Sequence, residues 1–255
     1  MPERKEFSQR GPESHFQSYA TLDRMERAHI DYPQLLSLAV HEFRTPASVV
    51  GGYLRMLQRD TDAPLTERQR KMIDEADKSC ARLVALVAEL SEISKLDAGT
   101  VTLSRKPLDV FALTSEAAEL VHEAQERDVH LEVRGQDTGA PLSGDAARLR
   151  SALDAIFRAV LREKAGPCIV VAERRREILD GRDSAVIVVA EGSSVRAAYD
   201  RAPGPFDDHR SGLGLALPLA RRVIEGHGGR IWSPAATGED DALTRGSAVI
   251  ELPIG

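Results

Sequence analysis

Along residues 36–57 the apolar side chains fall in steps of four and three: Leu36, Val40, Phe43, Ala47, Val50, Leu54 and Leu57. That spacing is the seam of a helix packing in a bundle, since a half-buried strand would alternate at every second residue. Asp31-Tyr32-Pro33 supplies a start, with a proline suited to the first turn, and a helical segment from Leu22 could lead into it. The helix is expected to end near Arg59, where Asp60-Thr61-Asp62-Ala63-Pro64 is turn chemistry. Thr66 and Gln69 then have capping-box spacing, and Ile73, Ala76, Cys80, Leu83, Val87 and Leu90 resume the helical stepping, broadened by Val84, Leu86 and Ile93. Two helices with so wide an apolar face cannot bury it alone. The pattern therefore predicts an antiparallel hairpin that pairs with a second copy into a four-helix bundle.

Beyond Gly99 and Pro107 the pattern changes. Short strands are expected over 101–103, 130–133, 168–172, 185–190, 230–232 and 248–252, and helices over 110–126, 145–162 and 213–226. Strands and helices mixed in this way predict a two-layer α/β sandwich, making the chain α+β as a whole. The expected division is a loose polar tail over 1–21, a helical domain over 22–98, a linker over 99–106 and the sandwich over 107–255.

Composition narrows the classes of function. With 42% apolar and 29% charged residues in 255, the chain is ordinary globular protein, and its net charge of −6 carries no electrostatic footprint for nucleic acid. Arg174-Arg175-Arg176 reads as a solvated strand or loop end. Cys80 and Cys168 lie on apolar stretches without metal-ligand spacing, which predicts buried free thiols and a cytoplasmic location. No run of about eighteen apolar residues is present, so neither membrane nor secretion is expected. A short polar N-terminus leaves no room for a sensory domain, so any input is expected from a separate sensor protein.

The candidate chemistry sits in His41-Glu42-Phe43-Arg44-Thr45-Pro46. On a helix His41 and Thr45 are one turn apart on one face, opposite Phe43 and among Ser37, Ser48, Gly52 and Arg55. A group carried on the imidazole would lie within reach of the hydroxyl. The six residues resemble the H box of two-component sensor histidine kinases. The resemblance implies that His41 is the phosphoacceptor, that Glu42 orients the ring and accepts its proton, and that Thr45 positions a water for hydrolysing the aspartyl-phosphate of a response regulator receiver domain. Pro46 would set a bend between two states of the helix.

A second motif is Ser211-Gly212-Leu213-Gly214-Leu215-Ala216, a glycine-rich turn opening into a helix, where backbone N–H groups and the helix dipole favour a phosphate. With His227-Gly228-Gly229, Gly246-Ser247 and Glu251-Leu252-Pro253 downstream, it resembles the G2 box of the Bergerat-type ATPase domain of the same family. By that resemblance Gly192, Gly212, Leu213, Gly214 and Leu215 would contact ATP, residues 203–210 with Phe206 would form a flexible lid, and magnesium would accompany the nucleotide. Other positions depart from the family. The two asparagines of its N box fall on Ala155 and Ala159, and its G1 aspartate falls on Ala190, followed by Glu191-Gly192-Ser193-Ser194. These replacements argue against both ATP and magnesium, and no metal ligand is assigned. Two readings follow: a dimeric histidine kinase core with an impaired nucleotide pocket, or a pseudokinase acting as a phosphotransfer protein, phosphatase or response-regulator scaffold.

Overall fold

A computed structural model describes residues 32–255 apart from 63, 123–124 and 239–240. The expected tail over 1–21 and the helical lead-in from Leu22 lie outside the described residues. Helix α1 spans Tyr32–Arg59 and carries Pro46 within it. Helix α2 spans Glu67–Asp97 and starts on the expected capping box. The Gln69 N–H donates to Thr66 Oγ1 at 3.4 Å and the Thr66 N–H donates to Gln69 Oε1 at 2.9 Å, an arrangement that contributes about 1 kcal/mol. α2 ends where Gly99 enters the left-handed region at φ 64° and the Thr100 N–H reaches back to the Lys95 carbonyl at 3.0 Å.

The hairpin leaves much of its apolar surface in solvent. Phe43 is 61% exposed, Val50 52%, Met56 67% and Met72 63%. Cys80 is buried and its thiol donates to the Ala47 carbonyl at 3.1 Å, tying the two helices together. Cys168 is only partly buried, contrary to expectation, because it is the first residue of β4 and sits at the end of that strand.

The rest of the chain folds as a sandwich, in line with the expected α+β class. In order it comprises β1 (Lys106–Asp109), α3 (Val110–Glu119), β2 (Val129–Gly135), β3 (Pro141–Gly144), α4 (Ala146–Arg162), β4 (Cys168–Leu179) and β5 (Arg182–Glu191), then α5 (Val195–Asp200), β6 (Pro203–Gly204), α6 (Ala216–Gly226), β7 (Arg230–Pro234), α7 (Ala242–Arg245) and β8 (Ala248–Pro253). The main sheet runs β2-β4-β5-β8-β7-β6, with β2 and β4 parallel and the other pairs antiparallel. β1 and β3 form a separate antiparallel pair. Helices α3, α4 and α6 cover one face through Phe111, Phe157, Leu217 and Ile224, packed on Ile187, Val189 and Ile250. The opposite face is closed by α5 and Trp232 over Val171, Val188 and Val249.

Several sequence expectations need correction. The strand expected over 101–103 is absent; the first strand is β1, whose Lys106–Asp109 pairs with β3, a strand the apolar pattern did not reveal. The helix expected over 110–126 stops at Glu119. The triple arginine is not a strand or loop end, and of the three only Arg176 is exposed. The run lies in mid-β4, where Arg174 is buried and donates to the Phe111 carbonyl at 2.9 Å, Ser115 Oγ at 2.6 Å and Asp137 Oδ1 at 2.6 Å. The strand runs on to a two-residue turn at Asp180 and Gly181, both at positive φ, which twists the hairpin correctly into β5.

Candidate functional site

Among the described residues, two places carry chemistry. On α1, His41 and Glu42 are exposed, with side chains 79% and 71% accessible. The His41 Nδ1 lies 3.5 Å from Glu42 Oε1, at the outer limit of a hydrogen bond. Thr45 is exposed one turn further along the same helix. The amphipathic seam points Phe43 away from this polar face, so the imidazole is open to an incoming group.

The second place is where α4 and α6 meet α2. His227 closes the C-terminal end of α6 and is buried; its Nδ1–H donates to the Val223 carbonyl at 2.7 Å, and its Nε2 accepts the Asp145 N–H at 2.9 Å. That pair of contacts requires the neutral ring, and burial lowers its pKa further. Asp145 caps α4, accepting from the Arg148 N–H at 3.2 Å, the Ser104 N–H at 3.1 Å and Arg148 Nη1 at 2.8 Å. Burial opposes its charge, but these donors outweigh burial and hold the carboxyl below the usual carboxylate range.

Arg148 also reaches across to the hairpin, where its Nη2 donates to Glu92 at 2.8 Å. Arg222 on α6 makes a two-pronged pair with Asp97 at 2.6 and 3.0 Å. The Arg148–Glu92 pair borders a cavity of about 790 Å³, also lined by Asp154, Ala155, Arg158, Leu213 and Ala216 among others. A smaller cavity of about 230 Å³ is bounded by Arg82 and Glu89 of α2, Arg162 at the end of α4, and Gly212, Leu213 and Gly214. Arg162 and Arg82 were not singled out in the sequence; only their convergence on the glycine turn marks them.

The expected nucleotide contacts are thus partly assembled. Gly212, Leu213 and Gly214 share the small cavity and Leu215 opens α6, whereas Gly192 lines neither cavity; its N–H donates to the Ile169 carbonyl at 2.9 Å. Ala155 and Ala159 are both buried on α4. Glu191 is engaged by Ser193 Oγ at 3.2 Å and lies 3.8 Å from Lys164 Nζ. The segment expected to be a flexible lid is instead fastened down. Phe206, Asp208 and Arg210 are buried, Asp208 pairs with Arg221 at 2.7 Å, and the Arg210 guanidinium donates to the carbonyls of Arg245 and Ser247 while stacking on Phe206.

A helical hairpin presenting an open histidine, followed by an α/β sandwich with a glycine turn at a helix start, defines a protein of the histidine-kinase class. Residues 34–99 match the His Kinase A (phospho-acceptor) domain family. The chain is 29% identical over 219 residues to the sensor protein GacS of Pseudomonas syringae pv. syringae, a match covering 81% of this chain and 24% of the relative. It is 32% identical over 221 residues to the sensor protein CutS of Streptomyces coelicolor, covering 82% of this chain and 51% of the relative. Among solved structures, full-length ShkA in complex with AMPPNP shares the fold, with a TM-score of 0.64 and 24% identity over 87% of this chain and 46% of that one. The chain belongs to the histidine kinase family of two-component signalling. It spans between about a quarter and a half of the length of these curated relatives. No helix among the described residues is long and apolar enough to cross a membrane.

Proposed function

We propose that this chain exchanges phosphoryl groups between His41 and the aspartate of a response regulator receiver domain, as a homodimer, and does not load His41 efficiently from magnesium and ATP. The observation that carries the reading is an open His41–Glu42 pair in a chain whose α4 has buried alanines at 155 and 159. Transfer from an aspartyl-phosphate needs neither nucleotide nor metal from this chain. In the Nδ1–H tautomer the ring turns that proton toward Glu42 and keeps its Nε2 lone pair for phosphorus. The Nε2–P bond forms as the P–O bond to the aspartate breaks, the carboxylate leaves with the electron pair, and Glu42 takes up the Nδ1 proton. Thr45, one turn away, would orient a water for the hydrolytic branch.

The case against self-loading rests on donors. Magnesium demands oxygen ligands, and alanine offers none. Among the described residues no group of three or more His, Cys, Asp or Glu side chains is placed to hold a metal. The residues present do not fit that ion. The glycine turn with Arg162 does suit phosphate oxygens, and ShkA was solved with AMPPNP; this favours, as a second reading, a slow autokinase. The exposed apolar stripe of the hairpin supports dimerisation, and a cytoplasmic location completes the proposal.

The experiment incubates the purified protein with a phosphorylated receiver domain or with labelled ATP and magnesium, then looks for acid-labile label. Label from the receiver that is lost in His41→Ala is the expected result. Equal labelling of His41→Ala and wild type would refute the assignment, and rapid labelling from ATP would establish the second reading.

A further inference from the structure

The 230 Å³ cavity beside the glycine turn has an unusual wall. Two guanidinium side chains, Arg82 and Arg162, and the turn at Gly212–Gly214 are the components of a site for a phosphate-type anion. Yet the hairpin sends a carboxylate into it. Glu89 lines this cavity; burial raises its pKa, while the N–H it accepts from Leu215, the residue that opens α6, and the nearby Arg82 favour its charge. Its Oε2 is buried with no hydrogen-bond partner. A buried unpaired carboxylate oxygen costs free energy, so the contact persists because its surroundings hold it there. Those surroundings are the Arg148–Glu92 and Arg222–Asp97 pairs further along α2, and Leu86, whose Cδ2 would lie 2.9 Å from a side chain at Gly214.

We propose that Glu89 occupies the anion position of the glycine turn, so that the hairpin itself caps the site, and that the ligand it excludes is a di- or triphosphate group. The proposal rests on the reading of Gly212–Leu215 as a phosphate turn. A polyphosphate entering the turn takes over the Leu215 N–H and the two arginines, and expels the carboxylate. Because Glu89 comes from α2 and the turn from the sandwich, that exchange also removes one of the contacts that join the two parts of the chain. Glu89 is a positioning residue, remote from the chemistry at His41.

The test uses the full chain and magnesium-free pyrophosphate. Titration calorimetry on wild type, Glu89→Gln and Glu89→Ala reads the affinity, and hydrogen exchange at Leu215 reads the contact. Removing a like charge from a desolvated anion site is worth roughly tenfold in affinity. Both variants should therefore bind pyrophosphate roughly tenfold tighter than wild type. The Leu215 amide should be protected in wild type, exchange faster in Glu89→Ala, and regain protection with pyrophosphate. Measurable affinity that is equal in all three proteins, or unaltered Leu215 exchange in Glu89→Ala, overturns the capping and leaves the phosphate turn standing. No binding by any of the three overturns the turn itself, and the proposal with it.

Discussion

His227 gives the most quantitative handle on how the sandwich is held together. Replacing it with alanine leaves the Asp145 N–H buried without an acceptor and the Val223 carbonyl without its side-chain donor. An orphaned buried N–H costs about 1–3 kcal/mol, and the space left by a buried ring adds to that, so His227→Ala should lose about 2–4 kcal/mol at neutral pH. The same geometry fixes a pH dependence. Only the neutral ring can accept from Asp145, and burial, reinforced by Arg105 and Arg148, lowers the folded pKa below the ordinary 6.5, while the Val223 carbonyl and Asp145 oppose that shift. Since the folded value is the lower one, this stability is fully present above pH 6.5. It is lost as pH falls from there through the lower folded value, because the unfolded ring takes up the proton first. Urea unfolding followed through the single tryptophan, Trp232 in β7, measures both effects. The gap between wild type and His227→Ala should be largest at pH 7.5 and shrink by pH 5. A gap below about 1 kcal/mol at pH 7.5, or one that does not change with pH, would refute the argument.

Other outcomes follow from the same contacts. Arg174→Met removes a buried cation, but Asp137, 90% exposed, simply returns to water. The loss should therefore be about 1–3 kcal/mol, short of the roughly 3–5 kcal/mol expected when a fully buried pair is broken, as read by denaturant unfolding. Met56→Glu combined with Met72→Glu places charges on two of the most exposed apolar residues of the hairpin. By light scattering the wild type should be a dimer and the double variant a monomer with unchanged helicity; a variant that stays dimeric would place the interface elsewhere.

Much of the fold was legible in the chain because its signals are local. The helical spacing of Leu36 to Leu57, the Thr66–Gln69 cap and the glycine turn before α6 each act over a few residues, and the structure keeps all three. Asp180-Gly181 is a local hairpin-turn signal too, obscured by the three arginines before it. Strands β1 and β3 are four residues each, too short for periodicity to register.

At the candidate site, residue types were readable but their neighbours were not. By itself the sequence determined a helix that exposes His41 beside Glu42 and a glycine turn that opens a helix, since backbone dihedrals and side-chain period set both. Only the tertiary structure decided that Arg174 is buried, that Phe206, Asp208 and Arg210 pin the supposed lid, and that Glu89 reaches Leu215. Those outcomes depend on partners far along the chain, as Arg222 and Asp97 are 125 residues apart. The free energy of a buried charge is set by the donors and acceptors that folding brings around it, and no spacing within a segment encodes them.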